Sequence, residues 1–212
     1  MSNTVDTLHP AAKPSYWSQR WKDNKTGWDN GEYHQHLPEL VEMARAAGIS
    51  SGAKILEPGA GRGHHGAFLA SCGFNVTSYD ISEIAVELGD ALYTGVIDFD
   101  LVCGDCFEEN KSWVGQYDAL FDRAVLCAFP ESERKKYIKI QASYIKPNGL
   151  FLSIPFLEVN LHGKDGPPFA MSMPEMHELI GDQFTLVSAT EKHDETGESK
   201  IARECLTVWQ KK

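Results

Sequence analysis

The chain has 212 residues, of which 42% are hydrophobic and 24% charged, proportions that suit one soluble globular domain and exclude a disordered polymer. A formal net charge of −10 removes any general attraction to phosphate backbones, and the basic runs Arg134-Lys135-Lys136 and Lys211-Lys212 read as solvated surface. No apolar run of about 18 residues could span a bilayer and the first residues lack a secretion signal, so the expected setting is the cytoplasm, with no nucleic-acid or membrane partner.

Residues 1–14 carry Pro10 and Pro14 and little apolar pattern, which predicts a flexible leader. The next stretch holds three of the five tryptophans, Trp17, Trp21 and Trp28, and the four-residue step from Trp17 to Trp21 puts both on one helix face. Apolar positions at helical spacing predict a helix over 37–48, stopped by Gly48. A short strand at 53–57 then runs into a glycine cluster, followed by a helix at 64–72.

Alternation predicts a strand at 74–79 ending at Asp80, and Ser82 caps a helix that reaches Tyr93. Strands at 99–103 and 119–122, a helix at 132–145, a turn at Pro147-Asn148-Gly149 and a strand at 150–155 continue the series. Strands alternating with helices imply a mainly parallel α/β sheet covered on both faces. The end differs: a short helix at 174–180 precedes strands at 184–189 and 201–210, joined through a polar turn with Gly197, which predicts an antiparallel hairpin.

Five cysteines, Cys72, Cys103, Cys106, Cys127 and Cys205, are an odd number scattered in apolar segments and read as reduced thiols. Cys103 and Cys106 form a lone CxxC without a second pair, so no metal site is predicted.

The richest segment is Glu57-Pro58-Gly59-Ala60-Gly61-Arg62-Gly63-His64-His65-Gly66. Such a turn lets backbone approach a ligand at the carboxyl edge of the sheet. Gly61-x-Gly63-x-x-Gly66 matches a dinucleotide fingerprint, with Asp80 nearly at the distance that holds a ribose. Glu57-x-Gly59-x-Gly61-x-Gly63 matches instead the first motif of methyltransferases that use S-adenosyl-L-methionine. Electrostatics favours the second, because a carboxylate at the loop mouth opposes a pyrophosphate and suits an ammonium and a sulfonium. Asp80 serves either cofactor by accepting both ribose hydroxyls. Adjacent His64 and His65 point in different directions and read as loop packing.

Six segments together carry a family resemblance: Trp17-x-x-x-Trp21, Asn24-Lys25-Thr26-Gly27-Trp28-Asp29, the glycine loop, Tyr79-Asp80-Ile81-Ser82, Tyr117-Asp118-Ala119-Leu120-Phe121-Asp122-Arg123 and Gly166-Pro167-Pro168-Phe169. With them the chain resembles the thiopurine S-methyltransferase family, including its thiol and halide methyltransferases, over roughly residues 15–209. The resemblance implies a Rossmann-like class I fold with a seven-stranded sheet, and a single domain over 15–212 in which residues 15–35 are a lid over the cofactor. It implies that S-adenosyl-L-methionine is held by Trp17, Trp21, Trp28, Glu57, Gly59, Gly61, Asp80, Ile81, Asp105, Cys106 and Asp122. Arg123 would be the catalytic residue, facing an acceptor pocket shared with Trp28, Phe156 and Phe169. Asp122 and Asp118 are alternative ion-pair partners for Arg123, while Met171 and Met173 are candidate gap-fillers.

The chain departs from the family where Gly163-Lys164-Asp165 separate His162 from Gly166, so His162 is not counted in the pocket. The implied acceptor is a small thiol, with halide transfer or cofactor binding without turnover as the alternatives, and the expected state is a monomer or weak dimer. Displacement at a sulfonium is chiefly an alignment task, so a general base is not demanded.

Overall fold

The computed structural model describes residues 9–160, 166–194 and 200–212. Its six α-helices are α1 (Pro14–Lys22), α2 (Leu37–Ala46), α3 (His64–Ser71), α4 (Glu83–Tyr93), α5 (Glu131–Tyr144) and α6 (Met173–Ile180). The strands are β1 (Lys54–Pro58), β2 (Asn75–Asp80), β3 (Asp100–Cys103), β4 (Tyr117–Arg123), β5 (Ile145–Ile154), β6 (Phe156–Val159), β7 (Phe184–His193) and β8 (Ile201–Lys211).

They form one sheet in the order β3-β2-β1-β4-β5-β8, with β7 on the far side of β8. The first five are parallel, and β8 runs antiparallel to β5, β6 and β7. The sheet therefore has eight strands where seven are expected, and Pro155 is the cause. Proline has no N–H to give the ladder, so the run breaks into β5 and β6. Both halves face the same side of β8, Phe151 opposite Trp209 and Phe156 opposite Glu204. The expected turn at 147–149 also moves inside a strand: the β4–β5 register jumps between Tyr117↔Ile145 and Ala119↔Leu150, with Asn148 left-handed at φ 62°.

Alternation along the strands divides the core into two layers. Leu56, Leu120, Phe151 and Trp209 face α5 and α6, whereas Ile55, Phe121, Leu152 and Val208 face α2 and α3. Ser82 caps α4 as its position predicts, accepting from the Ala85 N–H. At α6, Ser172 and Glu175 form a reciprocal capping box.

Two surface expectations fail. Residues 10–12 of the expected leader form a 3₁₀ turn with Ala11 and Ala12 buried, and the Trp17 indole donates to the Ala11 carbonyl at 2.7 Å. Alanine is small enough to pack closely while adding little to an apolar pattern. Arg134, read as part of a solvated basic run, is 5% exposed, and its guanidinium donates to the carbonyls of Leu126, Phe129, Phe169 and Ala170. Among the described residues no helix is long and apolar enough to cross a membrane.

Gly66 sets how closely α3 approaches the sheet. A Cβ there would collide with Ser78 Oγ and stand 2.8 Å from Glu57 Oε2. Gly66→Ala should cost about 1–3 kcal/mol in denaturant unfolding, and wild-type stability in that variant would show that α3 can shift outward.

Candidate active site

Strand β1 delivers the chain to three left-handed glycines, Gly59 (φ 60°), Gly61 (φ 57°) and Gly63 (φ 75°). A side chain at Gly59 would strike Val125, and a Cβ at Gly63 would lie 2.9 Å from the Phe99 ring. The conformation and the space therefore both require glycine. The curl aims the Gly61 N–H at Asp80 Oδ2 (2.8 Å), while Ser82 N–H holds Oδ1 (2.9 Å). Burial pushes the Asp80 pKa up, and these backbone bonds offset only part of that. Glu57 is buried as well, accepting from Ser78 Oγ at 2.6 Å and lying 3.3 Å from His65 Nδ1.

The rim continues through β3. Gly104 N–H bonds the Asp80 carbonyl, the Asp105 side chain caps Phe107 N–H at 2.8 Å, and Cys106 packs against the core. Ile81, half-buried, has its carbonyl 3.8 Å from Cys103 Sγ. All five cysteines are free.

The tryptophan segment lies on this loop. Trp21 carbon Cζ2 is 3.5 Å from where a Cβ on Gly61 would sit, and Trp28 meets Trp17 and Trp21 edge-on at 5.2 and 6.1 Å. Asp29 fastens the segment down: Arg62 grips it with two bonds, 2.6 and 2.9 Å, and His64 Nε2 lies 3.3 Å away. Burial works against ionising Asp29, yet the hydrogen bonds from Arg62 and the Gly31 N–H outweigh it and hold the pKa below its ordinary value. His64 also meets Tyr93 Oη at 2.5 Å, so the paired histidines serve the loop from two sides. Asp29 and Arg62 have no local spacing that reveals their partnership.

The end of β4 sends its last two side chains to opposite faces. Asp122, buried, accepts from Tyr137 Oη (2.5 Å) and Leu126 N–H (3.3 Å), and burial raises its pKa to about 6. It lines a small recess shared with Leu126, Cys127, Ser153, Ile154, Phe156 and Met171. Ala124 turns the chain here in a left-handed conformation, φ 67°. Arg123 goes the other way: its guanidinium lies 4.8 Å from the Phe156 ring, and Nη2 is 3.8 Å from Glu204 Oε2.

Neither proposed aspartate partner pairs with Arg123. Asp118 is bound to Lys146 and to the Lys54 N–H, and Asp122 is taken by Tyr137. Glu204 in turn lies 3.1 Å from His34 Nε2. Glu204 and His34 were not among the expected site residues, since strand alternation alone does not mark a buried acid.

Phe169 stands beside the recess, its N–H donating to Cys127 O at 2.6 Å and its ring edge-on to His9. Met171 lines the recess, Met173 packs on the core, and His162 lies outside the described residues. The structure thus gathers the tryptophans, the glycine loop and Asp80 at one part of the edge, and Asp122, Arg123 and Phe156 at the next.

A family model described as thiopurine S-methyltransferase (TPMT) matches residues 12–212. The thiopurine S-methyltransferase of Acinetobacter baylyi is 26% identical over 214 aligned residues, covering 92% of this chain and 95% of that one. The enzyme of the same name from Pseudomonas fluorescens is 30% identical, covering 88% and 90%. In fold, the chain resembles Burkholderia thailandensis 1,6-didemethyltoxoflavin-N1-methyltransferase, solved with 1,6-didemethyltoxoflavin and S-adenosylhomocysteine, with a TM-score of 0.75 at 18% identity, covering 100% and 93%. Matched along nearly its whole length, from the buried leader alanine at position 12 to its last residue, this chain belongs to the thiopurine S-methyltransferase family.

Proposed function

We propose that the chain transfers a methyl group from S-adenosyl-L-methionine to the sulfur of a small cytoplasmic thiol, with residues 15–35 covering the donor. The observation that carries this reading is the acidity of the glycine cradle. Glu57 is buried at its mouth, and a pyrophosphate would have to sit against it, whereas Asp80 suits the ribose of either cofactor. A cation fits.

When bound, S-adenosyl-L-methionine supplies a methyl carbon on a sulfonium, whose departing sulfur is neutral. The chain's part is to hold and align. Asp80 uses a lone pair on each oxygen for a backbone N–H, and a carboxylate offers about four such sites, so acceptor capacity remains for ribose hydroxyls. Gly59, Gly61 and Ile81 line the same approach, Asp105 and Cys106 flank the adenine side, and Trp17, Trp21 and Trp28 close over the methionine end. Arg123, with Phe156, Phe169 and Trp28, bounds the acceptor. Alignment of this kind can supply roughly 7–11 kcal/mol of a barrier.

S-adenosyl-L-methionine and S-adenosylhomocysteine should raise the melting temperature, and NAD should not. Asp80→Ala should remove most of that rise, since each charge-assisted bond it loses is worth roughly 1.5–3 kcal/mol; an undiminished rise would take Asp80 out of the site. Binding without any methylated thiol would favour a non-catalytic role, and iodide turnover exceeding thiol turnover would favour the halide reading.

The lid has its own test. Arg62→Met leaves Asp29 buried without its main partner, so kcat/KM should fall at least about tenfold, roughly 1.4 kcal/mol, with the sheet still folded by circular dichroism. Full activity would mean the Asp29 clamp is dispensable.

At the acceptor end, Arg123→Met should keep the cofactor-induced rise in melting temperature and lose about tenfold or more in thiol turnover, with Arg123→Lys between it and wild type. An unaffected Met variant would remove Arg123 from the reaction.

A further inference from the structure

The recess at the end of β4 is lined by Leu126, Ile154, Phe156, Met171 and Ser153 around two groups that could exchange a proton, Asp122 and Cys127, and the Phe156 ring, 4.8 Å from the Arg123 guanidinium, joins it to the face that Arg123 occupies. Burial pushes the Cys127 thiol up to about 12, so it stays protonated and cannot accept. Asp122 is held in place through both oxygens, Oδ2 by Tyr137 and Oδ1 by the Leu126 N–H, with lone pairs to spare. We propose that Asp122 is the general base of this enzyme, taking the S–H proton of a thiol that enters protonated. The inference rests on the methyl-transfer reading above.

An ordinary thiol has a pKa of about 8.5 and is only a few per cent thiolate at pH 7. Exclusion from bulk water in the recess disfavours the thiolate further. A nearby proton acceptor removes both obstacles by letting ionisation accompany displacement. The S–H bond breaks toward an Asp122 oxygen, the sulfur's electron pair forms the new S–CH₃ bond, and the donor's C–S bond breaks with its pair left on the departing thioether. The proton remains on Asp122 until the site reopens to solvent.

The carboxyl suits this work because burial raises its pKa to about 6, with Tyr137, the Leu126 and Val125 N–H groups and Arg123 opposing the rise. The other titratable groups interacting with it are Tyr137 on α5, Cys127 in the following turn, Tyr79 on β2 and Cys106 beyond β3. Burial raises all four above their ordinary values. Arg123, though lowered by burial, starts far above neutrality. Within this cluster a break in the rate near pH 6 has one source.

The test compares an alkanethiol with an arenethiol acidic enough to be fully ionised at pH 6, measuring kcat/KM across the pH range. For wild type, the alkanethiol profile should rise through about pH 6 and then level. Asp122→Asn should lower alkanethiol kcat/KM at least about hundredfold. Its residual rate should follow the thiol's own ionisation, and the arenethiol should change less than about threefold. The rise in melting temperature with S-adenosyl-L-methionine should persist, because this assignment takes Asp122 out of the cofactor-holding set that the family resemblance implies. Tyr137→Phe removes a donor to the ionised form, so it should move the alkanethiol break to higher pH.

A wild-type alkanethiol profile that climbs to the thiol's own pKa overturns the assignment. So does an Asn variant that loses both acceptors equally or loses the thermal shift, either of which makes Asp122 a structural or cofactor residue. Wild type inert toward both acceptors overturns the methyl-transfer reading itself, and this inference with it.

Discussion

Among the described residues four carboxylates are buried along one edge of the sheet, and the need to pair each of them organises the molecule. Glu57, Asp80 and Asp122 stand at the ends of β1, β2 and β4, and Glu204 lies in β8. An unpaired charge at such depth costs several kcal/mol, so each acid draws a different element to it. Glu57 takes Ser78 and His65 of α3. Asp80 takes the glycine loop and the start of α4, Asp122 takes α5 through Tyr137, and Glu204 takes the N-terminal segment through His34. The edge is thereby tied to α3, the glycine loop, the start of α4, α5 and the segment that carries His34.

What the partners are decides how each acid titrates. Glu204 and Asp122 are both desolvated, which raises a carboxyl. Around Glu204 the hydrogen bond and charge of His34, with Arg123 and His36, win, and its pKa falls below the ordinary value. Around Asp122 the direct donors are a phenol and backbone amides, Arg123 adds only a weaker attraction, and desolvation wins. The same residue chemistry thus yields one anchor that ionises more readily than an ordinary carboxyl and one group poised near neutrality. By linkage, the raised Asp122 pKa opposes folding above its unfolded value of 3.8, with the cost fully developed past about pH 6. Such a cost is common at a working site and unusual in a purely structural one.

Features that were legible from the amino-acid order share one property: their physics is local. The period of α2, the Ser82 cap and the positive-φ demand of Gly59, Gly61 and Gly63 each depend on neighbours within a few residues. The tryptophan segment was recognisable by resemblance, but its clamp was not, because Asp29 meets Arg62 across 33 positions. Arg134 was misread for the same reason. A basic residue beside two lysines looks solvated until Phe169 and Ala170, far along the chain, present their carbonyls to it. Pro155 was visible, yet whether it ends a strand or splits one depends on β8 reaching past it on the same side.

Arg134 also connects the frame to the chemistry. Its guanidinium draws together the turn after β4, at Leu126 and Phe129, and the segment at Phe169 and Ala170. The Phe169 N–H closes the same seam on Cys127. Leu126, Cys127 and Met171, which follow from these two stretches, form part of the wall that keeps water from Asp122. Dryness is what lifts the Asp122 pKa, so a cation that touches neither donor nor acceptor helps set the strength of the base. A buried arginine can do this where a lysine would not, because its planar fork reaches several carbonyls at once and cannot lose its charge. The basic strength of the site is therefore a property of how two distant loops are sewn together, and only secondarily of the aspartate itself.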